Sequence, residues 1–206
     1  MYSFYKKGCE KVLKKVKPFV YKALRFLYTK NKLMLFSIHG KDIENNNSII
    51  IQKQFHILHV NNKDDVLVFK NDEFYEIILN EIEKGATAYL VVSNNQVCHY
   101  SFVKKNNAYV GEIKRNIILK NQSSYIYNCF THKDFRGKKL YYLTLLTILS
   151  EYRDSPDGYT IASLDWNSNS ISVIKKTGFL PSGYCTFLTL LGVSKFVNST
   201  PYAFKK

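Results

Sequence analysis

From residue 123 onward the hydrophobic period switches repeatedly, and that switching restricts the fold more than any other feature of the chain. Residues 123–131 have the pattern of a strand, and residues 137–152 that of a helix with Leu140, Leu143, Leu146 and Ile148 among its apolar positions. A turn at 154–158 leads to a buried strand at 159–164. A shorter helix follows over 168–177 and stops at Gly178, a residue suited to a left-handed helix end. Phe179 then begins a last strand pair that includes residues 184–191. A strand–helix–strand–helix unit of this kind lays helices on a sheet.

The preceding half is mostly β. Strands are expected at 33–39 and 49–60 around an Asn-rich turn at 44–48, with a short ambiguous piece at 66–69. Asn71 can cap a helix running to about Lys84, with Phe74, Ile77, Ile78 and Ile82 facing inward and Gly85 as its stop. Strands at 87–92 and 96–103 flank Ser93-Asn94-Asn95, a hairpin signal, and two more are expected at 108–119 and 123–131. The fold class is therefore α/β, with a mixed, mostly antiparallel central sheet flanked by helices. With 46% apolar and 15% aromatic residues in 206, the chain can bury a core, which excludes global disorder and a collagen-like repeat. No run approaches the ~18 uninterrupted apolar residues of a spanning helix.

The chemistry concentrates where the first strand of that unit meets its helix. A strand ending near Thr131, a tight turn, and Arg136-Gly137 opening a helix present unpaired backbone N–H groups and the positive end of a dipole. Gly137 permits close backbone approach, and Lys138 and Lys139 add charge, so the turn is suited to a phosphate. Thirty-one residues beyond Arg136 comes Asn167, followed by Ser170 and, at the end of the helix, Gly178-Phe179.

In these two motifs, their order and their separation, the chain resembles the GNAT superfamily of acyl-CoA N-acyltransferases. Arg136-Gly137 resembles that family's pyrophosphate loop, and the Asn–x2–Ser–x7–Gly-Phe run from Asn167 resembles its fourth-helix signature. The resemblance covers roughly residues 50–193. It implies that the strand ending at Thr131 splays from the strand at 159–164, with pantetheine in the gap. Backbone groups around Cys129, Phe130 and Thr131 would bind the pantetheine amides and polarise the thioester. The amides of Gly137, Lys138, Lys139, Leu140 and Tyr141, with Arg136, would hold the pyrophosphate, and Asn167 would contact the pantetheine arm. Acetyl-CoA, or another acyl-CoA, would be the cosubstrate, with no metal, and a primary amine would attack the thioester directly.

The chain departs from that family at identifiable places. Where the family has small residues three and five positions after the Arg, this sequence has Lys139 and Tyr141. Ile174 stands where a Tyr commonly protonates the leaving thiolate, and residues 123–131 hold no acid. The candidates for acid and base are Asp165, Tyr184 and Tyr127, with His132, Tyr125 and Asn128 as further options. Trp166 is a candidate wall of the acceptor site. The alternative to an enzyme is a GNAT-like binding or membrane-associating module without catalysis.

Charge is unevenly placed. The net +14 arises mainly from lysines, with only four arginines, and residues 1–33 alone hold ten basic residues against one acid. Apolar residues there recur at helical spacing over 9–28, which divides the chain into a basic amphipathic helical segment, 1–33, and a GNAT-like domain, 34–206. Such a segment can lie on an anionic membrane surface, or pack on the chain's own core or on a second subunit as a homodimer. Lysine in place of arginine is not the usual chemistry of groove reading, so no specific nucleic acid is expected. The four cysteines form no CxxC pair, which fits a reducing cytoplasm. The expected setting is cytoplasmic, with membrane association as one of those alternatives. The expected acceptor is a small amine, such as an amino sugar or a lipid-linked glycan precursor.

Overall fold

Two asparagines make the first hairpin. Ser93 pairs with Gln96, and between them Asn94 and Asn95 adopt φ of 48° and 60°, the left-handed pair that a two-residue hairpin turn requires and asparagine tolerates. The computed structural model describes residues 28–39, 52–119, 123–151, 158–191 and 193–205. The basic helix expected over 9–28 (except Tyr28), the Asn-rich turn at 44–48, residues 49–51, 120–122 and most of the turn at 154–158 lie outside these residues.

In chain order the elements are β1 (Tyr28–Ile38), β2 (His56–Val60), α1 (Lys63–Val66), α2 (Tyr75–Glu83), β3 (Thr87–Ser93), β4 (Gln96–Lys105), β5 (Asn107–Val110), β6 (Arg115–Ile118), β7 (Ser124–Thr131), α3 (Leu140–Glu151), β8 (Tyr159–Leu164), α4 (Ser168–Lys176), β9 (Leu180–Leu190), β10 (Val193–Ser199) and β11 (Ala203–Lys205). Three expectations shift. The helix expected from Asn71 begins at Tyr75, because the Asp72 carboxylate accepts from the Phe74 amide at 2.9 Å and from the Val97 amide at 2.8 Å. Its buried stripe is Phe74, Ile78 and Ile82 at four-residue steps, which turns Ile77 outward. The strand expected over 108–119 is a hairpin, β5 and β6, broken by a turn at Gly111–Ile113 and a left-handed Lys114.

The large sheet has the order β10-β9-β1-β8-β7-β4-β3-β2, and a small sheet has the order β11-β6-β5. Among the described residues β7 and β8 are the parallel neighbours, over Ser124–Ile126 against Tyr159–Ile161; the other pairings are antiparallel. The first described strand, β1, lies inside this sheet, third of its eight strands. β1 pairs with β8 through Leu33–Ile38 and with β9 through Tyr28–Ser37, so Tyr28–Lys32, which end the basic run of the sequence, belong to a strand.

Three of the four apolar clusters among the described residues cover the two faces of the central strands. On one face, Phe36, Ile126 and Ile161 pack against Leu145, Ile148 and Leu149 of α3 and Ile174 of α4. On the opposite face, Phe74, Ile78 and Ile82 cover Ala88, Leu90, Tyr100 and Phe102. The small sheet covers the remainder of that face, with Ile113 and Ile117 against Leu33, Leu35, Tyr125 and Phe187. Removing apolar area from water on both faces of the central strands is the main stabilising term.

Candidate active site

Strand β7 runs beside β8 for only three residue pairs and then leaves it. Beyond Ile126 it stays on β4 alone, and there the ladder breaks: Phe102 faces Tyr127, while Tyr100 faces Phe130. The irregularity centres on Asn128, whose φ is 47°. An inserted residue reverses the alternation downstream of it. Tyr127 thus faces α2 and the small sheet, whereas Cys129 packs toward the α3/α4 cluster and Phe130 returns to the first side. The same bulge leaves the β7 backbone around Asn128 and Cys129 outside regular pairing, at the mouth of the opening between the strands.

A cleft of about 810 Å³ lies on the α3/α4 side of that opening, lined by Cys129, Phe130 and Thr131 of β7, the Phe135–Gly137 turn, Lys139–Tyr142, Trp166, Asn167 and the near side of α4. The helix on its rim starts later than the sequence suggests. A 3-10 turn at Lys133–Phe135 is followed by extended Arg136, by Gly137 at φ 80° and by Lys139 at φ 59°, and α3 begins at Leu140. The Arg136 side chain folds back to donate from Nε to the Thr131 carbonyl at 3.3 Å. Among the described residues no protein acceptor pairs with the backbone amides of residues 137–142, and Leu143 makes the first bond, to the Lys139 carbonyl. A Cβ placed on Gly137 would meet nothing within 4 Å, so the cradle in front of these amides is open.

Behind Thr131 and Tyr141 of this lining is a buried polar chain. His99 bonds through Nδ1 to the Thr131 hydroxyl at 2.7 Å and through Nε2 to Ser101 at 2.8 Å, and full burial pushes its pKa down to about 3. It is therefore neutral at ordinary pH. The Tyr141 ring tilts against His99, and its hydroxyl lies 3.5 Å from Ser170 across the cleft. Burial raises the Tyr141 phenol well above its usual range and pushes the Cys129 thiol up to about 11. Asn167 caps α4, accepting from the Ser170 amide at 3.2 Å.

A second cleft, of about 520 Å³, opens on the other face of the sheet, lined by Tyr125, Tyr127 and Asn128 of β7, Leu33 and Ala162, Glu81 and Lys84 of α2, Lys104, and the Tyr109–Glu112 stretch. Tyr127 donates its hydroxyl to Glu81 at 2.7 Å, and Lys84 reaches the other Glu81 oxygen at 2.8 Å. Burial, and then the Glu81 carboxylate, raise the Tyr127 pKa, so the phenol keeps its proton. Tyr125 stacks on Tyr127 with ring centroids 5.9 Å apart.

Of the residues singled out from the sequence, Cys129, Phe130, Thr131, Arg136, Gly137, Lys139, Leu140, Tyr141 and Asn167 come together in the first cleft. Lys138 does not line it; its ammonium sits over the rings of Phe55 and Phe135. Trp166 lines this cleft and not the second one. Tyr127 lines the second cleft, whereas Asp165 and Tyr184 line neither. Asp165 is exposed beyond β8, and Tyr184 is half-exposed on β9 with the Lys32 ammonium 4.7 Å above its ring. His132 caps the 3-10 turn, accepting from the Asp134 amide, and faces Glu73 at 3.0 Å. Sequence reasoning missed Asn169, Val173 and Lys176, which share one side of α4 at i, i+4 and i+7. It also missed Glu81, which has no local signal because it lies 46 residues from Tyr127.

Neither a protein-family model nor a curated protein matches the sequence. The likeness is to solved structures, and it is a likeness of fold: the chain has the fold of the GNAT acetyltransferases. A tandem GNAT protein from the clavulanic acid biosynthesis pathway aligns with a TM-score of 0.57 at 12% identity, over 87% of this chain and 60% of that one. A GCN5-related N-acetyltransferase-like protein from Streptococcus suis aligns with a TM-score of 0.55 at 8% identity, over 84% of this chain and 66% of the other. A protein assigned to the GNAT family of acetyltransferases from Novosphingobium aromaticivorans gives 0.52 at 11% identity, over 78% and 64%. The chain thus spans less than two thirds of the length of each.

Proposed function

We propose that the protein is an acyl-CoA-dependent N-acyltransferase that moves an acetyl, or other short acyl, group onto a primary amine. The carrying observation is that two clefts, one on each face of the sheet, reach neighbouring residues of the β7 bulge, Cys129 in the first and Asn128 in the second. Such an arrangement lets two substrates approach one point from opposite sides, which replaces a bimolecular encounter by an oriented one.

The residues of the first cleft fit a CoA. Six consecutive amides without protein partners, an open cradle at Gly137, and the side chains of Arg136 and Lys139 suit a pyrophosphate. Asn167 and the unpaired β7 backbone suit the amides of a pantetheine arm. The bound thioester supplies an activated carbonyl.

On the other side, Tyr127 and Glu81 form a relay: the phenol oxygen takes a proton from the incoming ammonium while its own proton passes to the carboxylate. The freed amine nitrogen then bonds to the acyl carbon as the carbon–sulfur bond breaks, and the second proton that the nitrogen sheds in becoming an amide leaves with the departing sulfur as a thiol. The tyrosines, the Lys84–Glu81 pair and the modest volume suit a polar amine such as an amino sugar, free or lipid-linked, better than a polycation.

Acetyl-CoA titrated into the protein in a calorimeter, together with thiol release in the presence of glucosamine, tests this reading. Saturable binding with amine-dependent release supports it. Binding without release against a panel of amines favours a second reading, a non-catalytic CoA-binding module, for which the buried Tyr141 and Ile174 speak. Absence of binding at millimolar acetyl-CoA overturns both.

A further inference from the structure

The sheet face that carries α3 and α4 does not end beneath them. Directly paired residues on antiparallel strands point to the same face, so rows of side chains can be followed outward across β1, β9 and β10. Met34 packs into the α3/α4 cluster and marks where cover by the helices stops. Two residues further out on β1 is Lys32, then the row Lys30–Leu188–Lys195, then the row Tyr28–Leu190–Val193 at the end of the strands. The opposite face of the same strands is filled, with Leu33, Leu35 and Phe187 buried against the small sheet. The outermost row is bare: Tyr28 is 56% exposed, Leu190 54% and Val193 76%, and Leu191 at the turn adds 66%.

This is an apolar tip backed by lysines. Among the described residues no carboxylate forms an ion pair with Lys30, Lys32 or Lys195. Asp165 borders the face where its amide bonds to the Lys32 carbonyl. The chain enters the face at Tyr28, and the residues before it, 1–27, carry eight basic side chains and one acid. Laying that run over Lys30 and Lys195 would set like charges together. A second copy docked on the same face would bring these lysines against their own counterparts. A nucleic acid would meet the lysines and leave Leu190, Leu191 and Val193 in water.

We propose that the outer face of β1, β9 and β10 docks on an anionic lipid surface, with the Leu190–Val193 tip entering the interface and Lys30, Lys32 and Lys195 held at the headgroups. An apolar tip backed by lysines is the arrangement that such a surface accommodates. Because this face continues the one beneath α3 and α4, docking holds the first cleft beside the membrane. The inference stands apart from acyl transfer and does not need it.

Flotation of the full-length chain with phosphatidylcholine vesicles containing about 30 mol% phosphatidylglycerol tests the proposal. The chain should float with these vesicles, stay behind with pure phosphatidylcholine, and release as salt rises. Two variants, Lys30→Glu with Lys195→Glu, and Leu190→Ser with Leu191→Ser and Val193→Ser, should each lower partition about tenfold or more without changing the thermal melt. If the triple change alters the melt, Leu191→Ser alone, at the turn, replaces it and should lower partition severalfold. The proposal is overturned if the wild-type chain does not float, or if the variants float as well as it does. It is equally overturned if the tip variant leaves vesicle binding intact but dissociates a dimer in sedimentation, or if single-stranded DNA binds more tightly than the vesicles.

Discussion

The two clefts at the end of β7 are built in opposite ways. The one beside α3 and α4 is made from two short chain segments, 129–142 and 166–176, so most of its polar groups come from local turns and caps. The one on the far face is assembled from α2, β1, β4, β5, β7 and β8, and its central pair, Glu81 and Tyr127, meets only through tertiary packing. Local construction leaves backbone amides without protein partners, whereas distant construction leaves side chains; under the proposed function the first would hold the shared cofactor and the second would vary with the acceptor.

The largest expected effect probes His99, packed behind Thr131 and Tyr141 of the first cleft. His99 is neutral in the folded chain and titrates near its ordinary value of 6.5 when unfolded, so the unfolded state binds the extra proton between these values. Stability should be unaffected by this group above pH 6.5 and be lost as pH falls from there toward 3, by roughly 4–5 kcal/mol in total. Chemical denaturation from pH 7 to 4 should show that slope in the wild type and a shallower one in His99→Gln. Equal slopes would remove His99 from the account.

Next in size is the far cleft. Glu81→Gln should lower kcat/KM for amine acylation by about 10²-fold or more and leave acetyl-CoA affinity unchanged. Loss of cofactor affinity in that variant would merge the two clefts into one unit and break the comparison. The first cleft should answer in the reverse sense. Gly137→Val places a branched side chain at φ 80° and should cost roughly 1–2 kcal/mol of stability while weakening acetyl-CoA binding. The smallest effect is at the helix cap: Asn167→Ala should destabilise α4 by about 1 kcal/mol, read as a lower melting temperature.

Much of the first cleft was legible because its determinants are local. An Arg-Gly turn before an apolar helix and an Asn three residues before a Ser need no tertiary information to be seen. Their details were not legible. Arg136-Gly137 precedes the helix by a further turn, since Gly137 and Lys139 both take left-handed conformations and α3 waits until Leu140. Lys138 turns to aromatic rings that come from residue 55 and residue 135. Tyr141 fits where a small residue was expected because His99 and Ser170 form a pocket for its ring and hydroxyl.

By itself the sequence determined what depends on neighbours a few residues apart: the Asn94-Asn95 hairpin, the amphipathic periods of α2 and α4, the stop at Gly178 and the anion-ready turn before α3. Tertiary structure alone decided the rest. Residues Tyr28–Lys32 look from the sequence like the tail of a basic segment, yet they extend the strand expected at 33–39 into β1, between β8 and β9. The bulge at Asn128 re-aims Cys129 because β4 offers one partner too few. Glu81 joins Tyr127 because α2 packs across the sheet. Register, strand order and the meeting of distant side chains are set by which apolar faces bury one another, and no local pattern carries that information.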